Sequence, residues 1–137
     1  EHDGKIYFTC TSGGKNELGQ IWEYIPSLYE GTPKEQKYPA KLKLFFESDD
    51  AKSLDMCDNI TISPFGDIII CEDGKGSDYL VGIKSDGKSY KIAKNILNSS
   101  EFAGACFSPD GKILFVNIYK PSITLAITGN WADLTAS

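Results

Sequence analysis

Apolar residues along this chain occur in short runs rich in Ile, Val, Phe and Tyr, separated by polar segments that contain Gly, Pro, Asn and Asp. The runs at residues 68–71, 80–83 and 113–118 are examples, and each has the length of a β-strand. Helical spacing of apolar positions is poor along the chain. The pattern therefore predicts an all-β chain of short antiparallel strands.

One turn motif occurs twice. Ser-Pro-x-Gly stands at residues 63–66 and again at residues 108–111, an offset of 45. In both copies a short apolar strand precedes the turn and a second strand, rich in β-branched residues, follows it. The segment that begins at Asp3-Gly4 matches the second half of the same unit, so a preceding strand is expected to be missing. Asp86-Gly87 adds a strong hairpin signal later in the repeat.

Four short antiparallel strands that recur about every 45 residues are typical of a β-propeller blade. We predict one blade without its first strand at about residues 4–48, a full blade at about 58–94 and most of a third at about 101–128. A two-sheet sandwich of about ten strands is the alternative, and the turn motif returning in register favours the propeller. Because rings usually need four to eight blades, the chain is expected to be a fragment, or to self-associate through its open blade edges.

Composition limits the classes of function. The 137 residues include 14 basic and 19 acidic side chains, a net charge of −5, which argues against a nucleic-acid partner. No apolar run approaches the roughly 18 residues of a membrane span, and the first residues lack the features of a signal peptide. The four cysteines form no CxxC pair and have no nearby histidines, so we interpret them as packed thiols rather than structural zinc ligands; disulfides or a metal thiolate are the alternatives.

The candidate chemistry is an acidic channel mouth. In a blade, the start of the first strand and the end of the second lie at the same end of the channel. Alignment of the turn glycines places Cys10, Glu72 and Asn117 at equivalent positions. Six oxygen-donor residues are therefore expected at one mouth: Asp58, Asn59, Glu72, Asp73, Glu101 and Asn117.

Clustered carboxylates repel one another unless they are protonated or share a cation, and oxygen ligands suit Ca²⁺, Mg²⁺ or ferric iron. We predict Asp58, Asn59, Glu72 and Glu101 as metal ligands, with Asp73 and Asn117 supporting them. The alternative is that these residues cap turns or lie in solvated loops. No catalytic residue is assigned, and the single histidine, His2, makes a Ser-His-Asp triad improbable.

Several of these stretches resemble the C-terminal part of PhoX-type alkaline phosphatases. They cover nearly the whole chain, at residues 6–14, 19–24, 58–64, 71–74, 100–111 and 126–131. The resemblance implies a secreted bacterial β-propeller enzyme that hydrolyses phosphate esters with calcium and ferric iron in the channel mouth. It also implies a periplasmic or extracellular location. An Arg/Glu-bearing motif that such enzymes carry just before the Asp3-Gly4-Lys5 hairpin is absent here.

On this resemblance, the parent protein is a metal-dependent phosphomonoesterase that acts on small phosphate esters, and this segment alone is expected to be inactive. Asp58, Asn59, Glu72 and Glu101 would be its contribution to the metal site. Two other hypotheses remain open at this point. One is a non-enzymatic repeat module used for binding or assembly. The other is a related calcium-dependent lactonase or phosphotriesterase propeller.

Overall fold

The computed structural model describes residues 2–135, which form ten β-strands and one short helix, α1 (Trp131–Thr135). The strands, in chain order, are β1 (Ile6–Cys10), β2 (Gln20–Ile25), β3 (Lys41–Glu47), β4 (Cys57–Ile62), β5 (Ile68–Glu72), β6 (Tyr79–Ile83), β7 (Ser89–Lys94), β8 (Phe102–Phe107), β9 (Ile113–Ile118) and β10 (Ile123–Thr128).

The strands make three antiparallel sheets that do not close into a barrel. The first sheet has the order β1-β2-β3, the second β4-β5-β6-β7 and the third β8-β9-β10. Strand β4 lies against both β1 and β8, so the first strands of the second and third sheets are neighbours. The all-β prediction is confirmed, and the arrangement is that of an incomplete propeller.

The second sheet is covered on both faces, and β5 shows this most clearly. All five of its residues are buried. Ile68 and Ile70 pack in one cluster with Ile21 of the first sheet, whereas Ile69 on the opposite face packs with Leu114 of the third. Alternation along the strand sends neighbouring side chains to opposite faces. Burying each such isoleucine contributes about 1.5–3 kcal/mol, so the two apolar layers hold the three sheets together.

The repeated turns close in the same way at one end of the sheets. The Ser63 hydroxyl accepts a hydrogen bond from the Asp67 amide at 2.9 Å, and the Ser108 hydroxyl accepts one from the Ile113 amide at 3.0 Å. A glycine with positive φ stands in each turn, and a side chain at Gly111 would collide with a proline of the neighbouring turn. The two turns are therefore stacked on each other.

These turns differ in length by one residue. The Ser63 amide donates to the carbonyl of Asp67, four residues on, whereas the Ser108 amide donates to the carbonyl of Ile113, five residues on. The shared Ser-Pro-x-Gly motif hides this difference, because the additional residue follows the glycine.

Because the second turn is longer, Glu72 and Asn117 do not occupy equivalent positions, and the prediction that they do is wrong. Glu72 pairs with Cys57, the first residue of β4, but the first residue of β8, Phe102, pairs with Ile118. Ile118 therefore occupies the structural position of Glu72, and Asn117 lies one residue earlier, on the other face of its strand.

We predict that Gly82→Ala destabilises the second sheet. A methyl group at Gly82 would overlap the ring of Tyr90, whose hydroxyl donates to Asp67 at 2.8 Å and holds the ring in place. Overpacking of this kind costs about 1–3 kcal/mol, which urea unfolding followed by circular dichroism measures directly. Gly129→Ala is the matched control because nothing lies within 4 Å of a methyl group there. Equal stabilities of the two variants would contradict the packing described.

Candidate functional site

Asp58 and Asn59 lie in a β-bulge at the start of β4. The pairing of β4 with β5 shifts register between Cys57 and Ile60, and β8 has the corresponding irregularity around Gly104. The Asn59 side-chain oxygen accepts a hydrogen bond from the Gly104 amide at 3.0 Å, so the two bulges are joined directly. The Asn59 amide group also donates to the Asp58 carboxylate. Bulges commonly re-aim side chains near functional sites, and here they set two oxygen donors beside the next sheet.

Glu72 is held in a closed set of hydrogen bonds. Its side chain is only 3% exposed. One carboxylate oxygen accepts from the Asp55 amide at 3.0 Å and from the Lys91 ammonium at 2.7 Å, and the other accepts from the Tyr79 amide at 3.0 Å. The Lys91 ammonium also lies 4.3 Å from the centre of the Tyr79 ring. Glu72 thus fastens the segment before β4 to β6 and β7.

Glu101 has the opposite environment. Its side chain is half-buried, and burial raises the pKa of its carboxyl above the ordinary value, with a further rise from the charges of Asp73, Asp58 and Asp78. No hydrogen bond of its carboxylate is found within residues 2–135. The structure therefore brings Asp58, Asp73, Asp78 and Glu101 within electrostatic range, and we call these four residues the acidic rim.

Asp78 was missed by sequence reasoning. It is 4% exposed, and its carboxylate accepts a hydrogen bond from the Gly74 amide at 3.2 Å. Burial raises the pKa of Asp78, and the charges of Glu72, Asp73 and Asp55 raise it further. It stands in a polar loop before β6, where the only sequence signal was another aspartate among glycines.

Asp73, which belongs to the rim, and Asn117, which does not, are the two predicted supporting residues. Asp73 is exposed, and its amide donates to the Met56 carbonyl at 2.9 Å. The Asn117 side chain donates to the Ala103 carbonyl at 3.2 Å and accepts from the Thr124 hydroxyl at 2.7 Å. Asn117 therefore cross-links the strands of the third sheet.

The rim does not form a complete metal centre within one copy of the described chain. Among residues 2–135, no three His, Cys, Asp or Glu side chains lie close enough together to hold an ion. An open cleft of about 430 Å³ lies beside Glu72 and mixes both charges, with the lining residues Lys52, Asp55, Glu72, Lys75, Asp78 and Lys91 among others. The rim offers carboxylate oxygens, but only part of a coordination shell.

Comparison with protein families settles the relationship. The family model for alkaline phosphatase PhoX matches residues 1–122 of this 137-residue chain. The chain belongs to the PhoX alkaline phosphatase family. No curated protein and no solved structure matches it significantly.

Both bulges and the acidic rim fall inside the stretch that the PhoX model matches. In the part of the chain that the structure describes, no helix is long and apolar enough to cross a membrane. The sequence-based resemblance to PhoX-type enzymes is confirmed at the level of the family.

We predict opposite effects for two neutralised carboxylates of this PhoX-family chain. Glu72→Gln leaves Lys91 without its partner and replaces an acceptor by a donor, so it should lower the free energy of unfolding by about 2–3 kcal/mol. Glu101→Gln removes a charge that its neighbours repel, so it should raise that free energy at pH 7 by less than about 1 kcal/mol, because solvent screens the half-buried group.

The pH dependence distinguishes the repulsion from an unrelated effect. Since the folded pKa of Glu101 is raised, the wild type loses stability as pH rises from the ordinary Glu pKa towards the raised one. The gain of Glu101→Gln should therefore vanish below about pH 4, where the carboxyl is protonated in both states. Urea unfolding at pH 3.5 and pH 7 measures this, with the exposed Glu17→Gln as control. A higher free energy of unfolding for Glu101→Gln at both pH values would contradict repulsion between the rim carboxylates.

Proposed function

We propose that this PhoX-family chain is the C-terminal segment of a metal-dependent phosphomonoesterase that releases phosphate from small organic phosphate esters. Two observations support the proposal. The family model covers most of the chain, and the acidic rim lies at the ends of strands from two adjacent sheets. We place the enzyme in the periplasm or outside the cell, as the family resemblance implies.

The charge of the rim bears on how a phosphate ester could bind. A phosphate monoester is an anion at neutral pH, and a group of carboxylates repels it. Hard cations between the two would neutralise both, and when bound they would polarise the ester and supply an activated oxygen nucleophile. The family resemblance implies Ca²⁺ and Fe³⁺, which both accept oxygen ligands, and the proposal includes these two cations on that ground.

The donor set of this chain fits such cations in part. Asp58, Asn59 and Glu101 carry oxygen donors at adjoining strand starts, and Glu101 has no competing hydrogen bond within the described residues. Glu72 differs, because a cation would compete there with Lys91 and two backbone amides. Its role as a ligand stays a prediction. We propose that Asp58, Asn59 and Glu101 are the principal contribution, with Asp73 nearby, and that the remaining ligands come from outside this chain.

Calcium should stabilise the 137-residue chain measurably. At a calcium concentration ten times the Kd, binding to the folded state adds about 1.4 kcal/mol, which raises the Tm by about 3–6 °C. Thermal unfolding with calcium chloride, magnesium chloride or a chelator measures the shift. Asp58→Asn and Glu101→Gln should each reduce it by more than half, and the exposed Glu17→Gln should leave it unchanged. If calcium raised the Tm of the wild type and of all three variants equally, the acidic rim would not be the calcium site.

The 137-residue chain should hydrolyse p-nitrophenyl phosphate at no more than the background rate, even with calcium and ferric iron present, because the described residues hold no complete metal centre. A longer protein that contains this segment should be active, and Glu101→Gln in it should lower kcat by at least about tenfold. Hydrolysis by the 137-residue chain would contradict the partial-site proposal. A longer protein that cleaves a lactone or a phosphotriester in preference would overturn the substrate class.

A further inference from the structure

A pocket lies between the start of β3 and the insertion at residues 26–40, which joins β2 to β3. Its volume of about 500 Å³ is within the range of roughly 300–1,000 Å³ that is usual for small-molecule sites. Aliphatic, aromatic and cationic side chains line it, among them Ile25, Tyr29, Lys37, Tyr38, Lys41 and Lys43. We call it the tyrosine pocket.

Two tyrosine rings lie side by side in this pocket. The centroids of the Tyr29 and Tyr38 rings are 5.2 Å apart, and their planes meet at 38°. The Ser27 hydroxyl donates to the Tyr38 carbonyl at 2.5 Å and accepts from the Tyr29 amide at 3.0 Å, so one side chain fastens both residues. Tyr38 is nevertheless 49% exposed. The pair therefore offers a fixed, flat apolar surface on which another ring can stack.

The charge around the tyrosine pocket is positive, although the chain is acidic overall. Residues 26–43 contain four lysines and two glutamates, so 4 − 2 gives +2, against −5 for the whole chain. Both glutamates hold the insertion in place. Glu30 accepts from the Tyr24 hydroxyl at 2.7 Å, and Glu35 accepts from the Gly31 amide at 2.8 Å. The lysines that line the pocket are Lys37, Lys41 and Lys43.

Two of these lysines have no carboxylate partner in the part of the chain that the structure describes. The Lys43 ammonium lies 3.6 Å from the Glu23 carboxylate, but no ion pair within residues 2–135 includes Lys37 or Lys41. The Lys37 ammonium lies 5.4 Å from the centre of the Tyr38 ring, so a positive charge stands beside the aromatic surface. An anion could therefore pair with a lysine here without displacing a carboxylate.

The tyrosine pocket is separate from the acidic rim. Strand β2 begins at Gln20, whose carbonyl accepts from the Cys57 thiol at the start of β4, and it ends at Ile25 in the pocket. Lys43 pairs with Glu23, and the Glu23 carboxylate accepts from the hydroxyl of Tyr7, which packs against the second sheet. The pocket thus lies at the opposite end of the first sheet from the rim, and residues of this chain build it.

We propose that the tyrosine pocket binds a small organic anion that carries an aromatic ring. The ring stacks on Tyr38, and the anionic group lies beside Lys37 and Lys41. Because the pocket joins the insertion to β3, the bound anion stabilises the first sheet. This site is distinct from the proposed phosphatase site and does not depend on it.

Isothermal titration calorimetry of the 137-residue chain with 2-naphthoate tests the proposal, with the uncharged 2-naphthamide as the matched compound. We expect saturable one-to-one binding of 2-naphthoate, and binding of 2-naphthamide that is at least about fivefold weaker, because the amide has no charge for the lysines. No saturable binding of 2-naphthoate, or equal affinity for both compounds, would overturn the proposal. Neither outcome depends on a metal ion or on phosphatase activity.

Substitutions locate the binding site. Tyr38→Leu and Lys41→Gln should each raise the Kd for 2-naphthoate at least about threefold, whereas Tyr38→Phe, which keeps the ring, should bind like the wild type. Tyr119→Leu is the matched control for Tyr38→Leu, because the Tyr119 ring is 57% exposed with a lysine ammonium 5.8 Å from its centre but lies outside the pocket. The exposed Lys15→Gln is the control for Lys41→Gln.

Far-ultraviolet circular dichroism checks that each variant folds, and Lys41→Gln carries the test alone if Tyr38→Leu does not fold. An unchanged Kd in the folded pocket variants would place the anion elsewhere and overturn the proposal. An equal loss of affinity in the pocket variants and in the two controls would overturn it as well.

Discussion

The burial of β5 on both of its faces is the constraint on which the structure depends. Ile68 and Ile70 require an apolar sheet on one side, and Ile69 and Cys71 require one on the other. Once the first and third sheets occupy these positions, the starts of β4 and β8 must lie side by side. The bond between the bulges and the convergence of the rim carboxylates are consequences of that packing.

Glu72 and Glu101 illustrate how surroundings separate two carboxylates at the same end of the sheets. Glu72 is buried deeply, but two amides and an ammonium group satisfy it, so its charge stabilises the link between strands. Glu101 is less buried and lies within range of other carboxylates, so its negative charge destabilises the folded state. A protein keeps such a destabilising charge most readily where function requires it, which is why we propose a cation at this place.

Much of the fold could be predicted from the sequence, because strand length, glycine turns and the 45-residue offset are local signals. The difference in position between Glu72 and Asn117 could not be predicted, since both turns carry Ser-Pro-x-Gly and differ only in the number of turn residues after the glycine. The bond between Glu72 and Lys91 was also out of reach, because it joins residues 19 apart across two strand pairings. The metal-ligand assignments stay a prediction, and Asp78 was not singled out, because the surroundings of each carboxylate depend on three-dimensional neighbours.

The ionisation of Glu101 tests the central claim, that packed sheets bring the carboxylates of the rim together, more directly than any other measurement. Carbon-13 NMR of the labelled side-chain carboxyl follows its titration alone. The account predicts a pKa above the ordinary Glu value of about 4.3, and a lower pKa in Asp58→Asn and Asp73→Asn variants, where one repelling charge is absent. A Glu101 pKa at the ordinary value, unchanged in both variants, would contradict it.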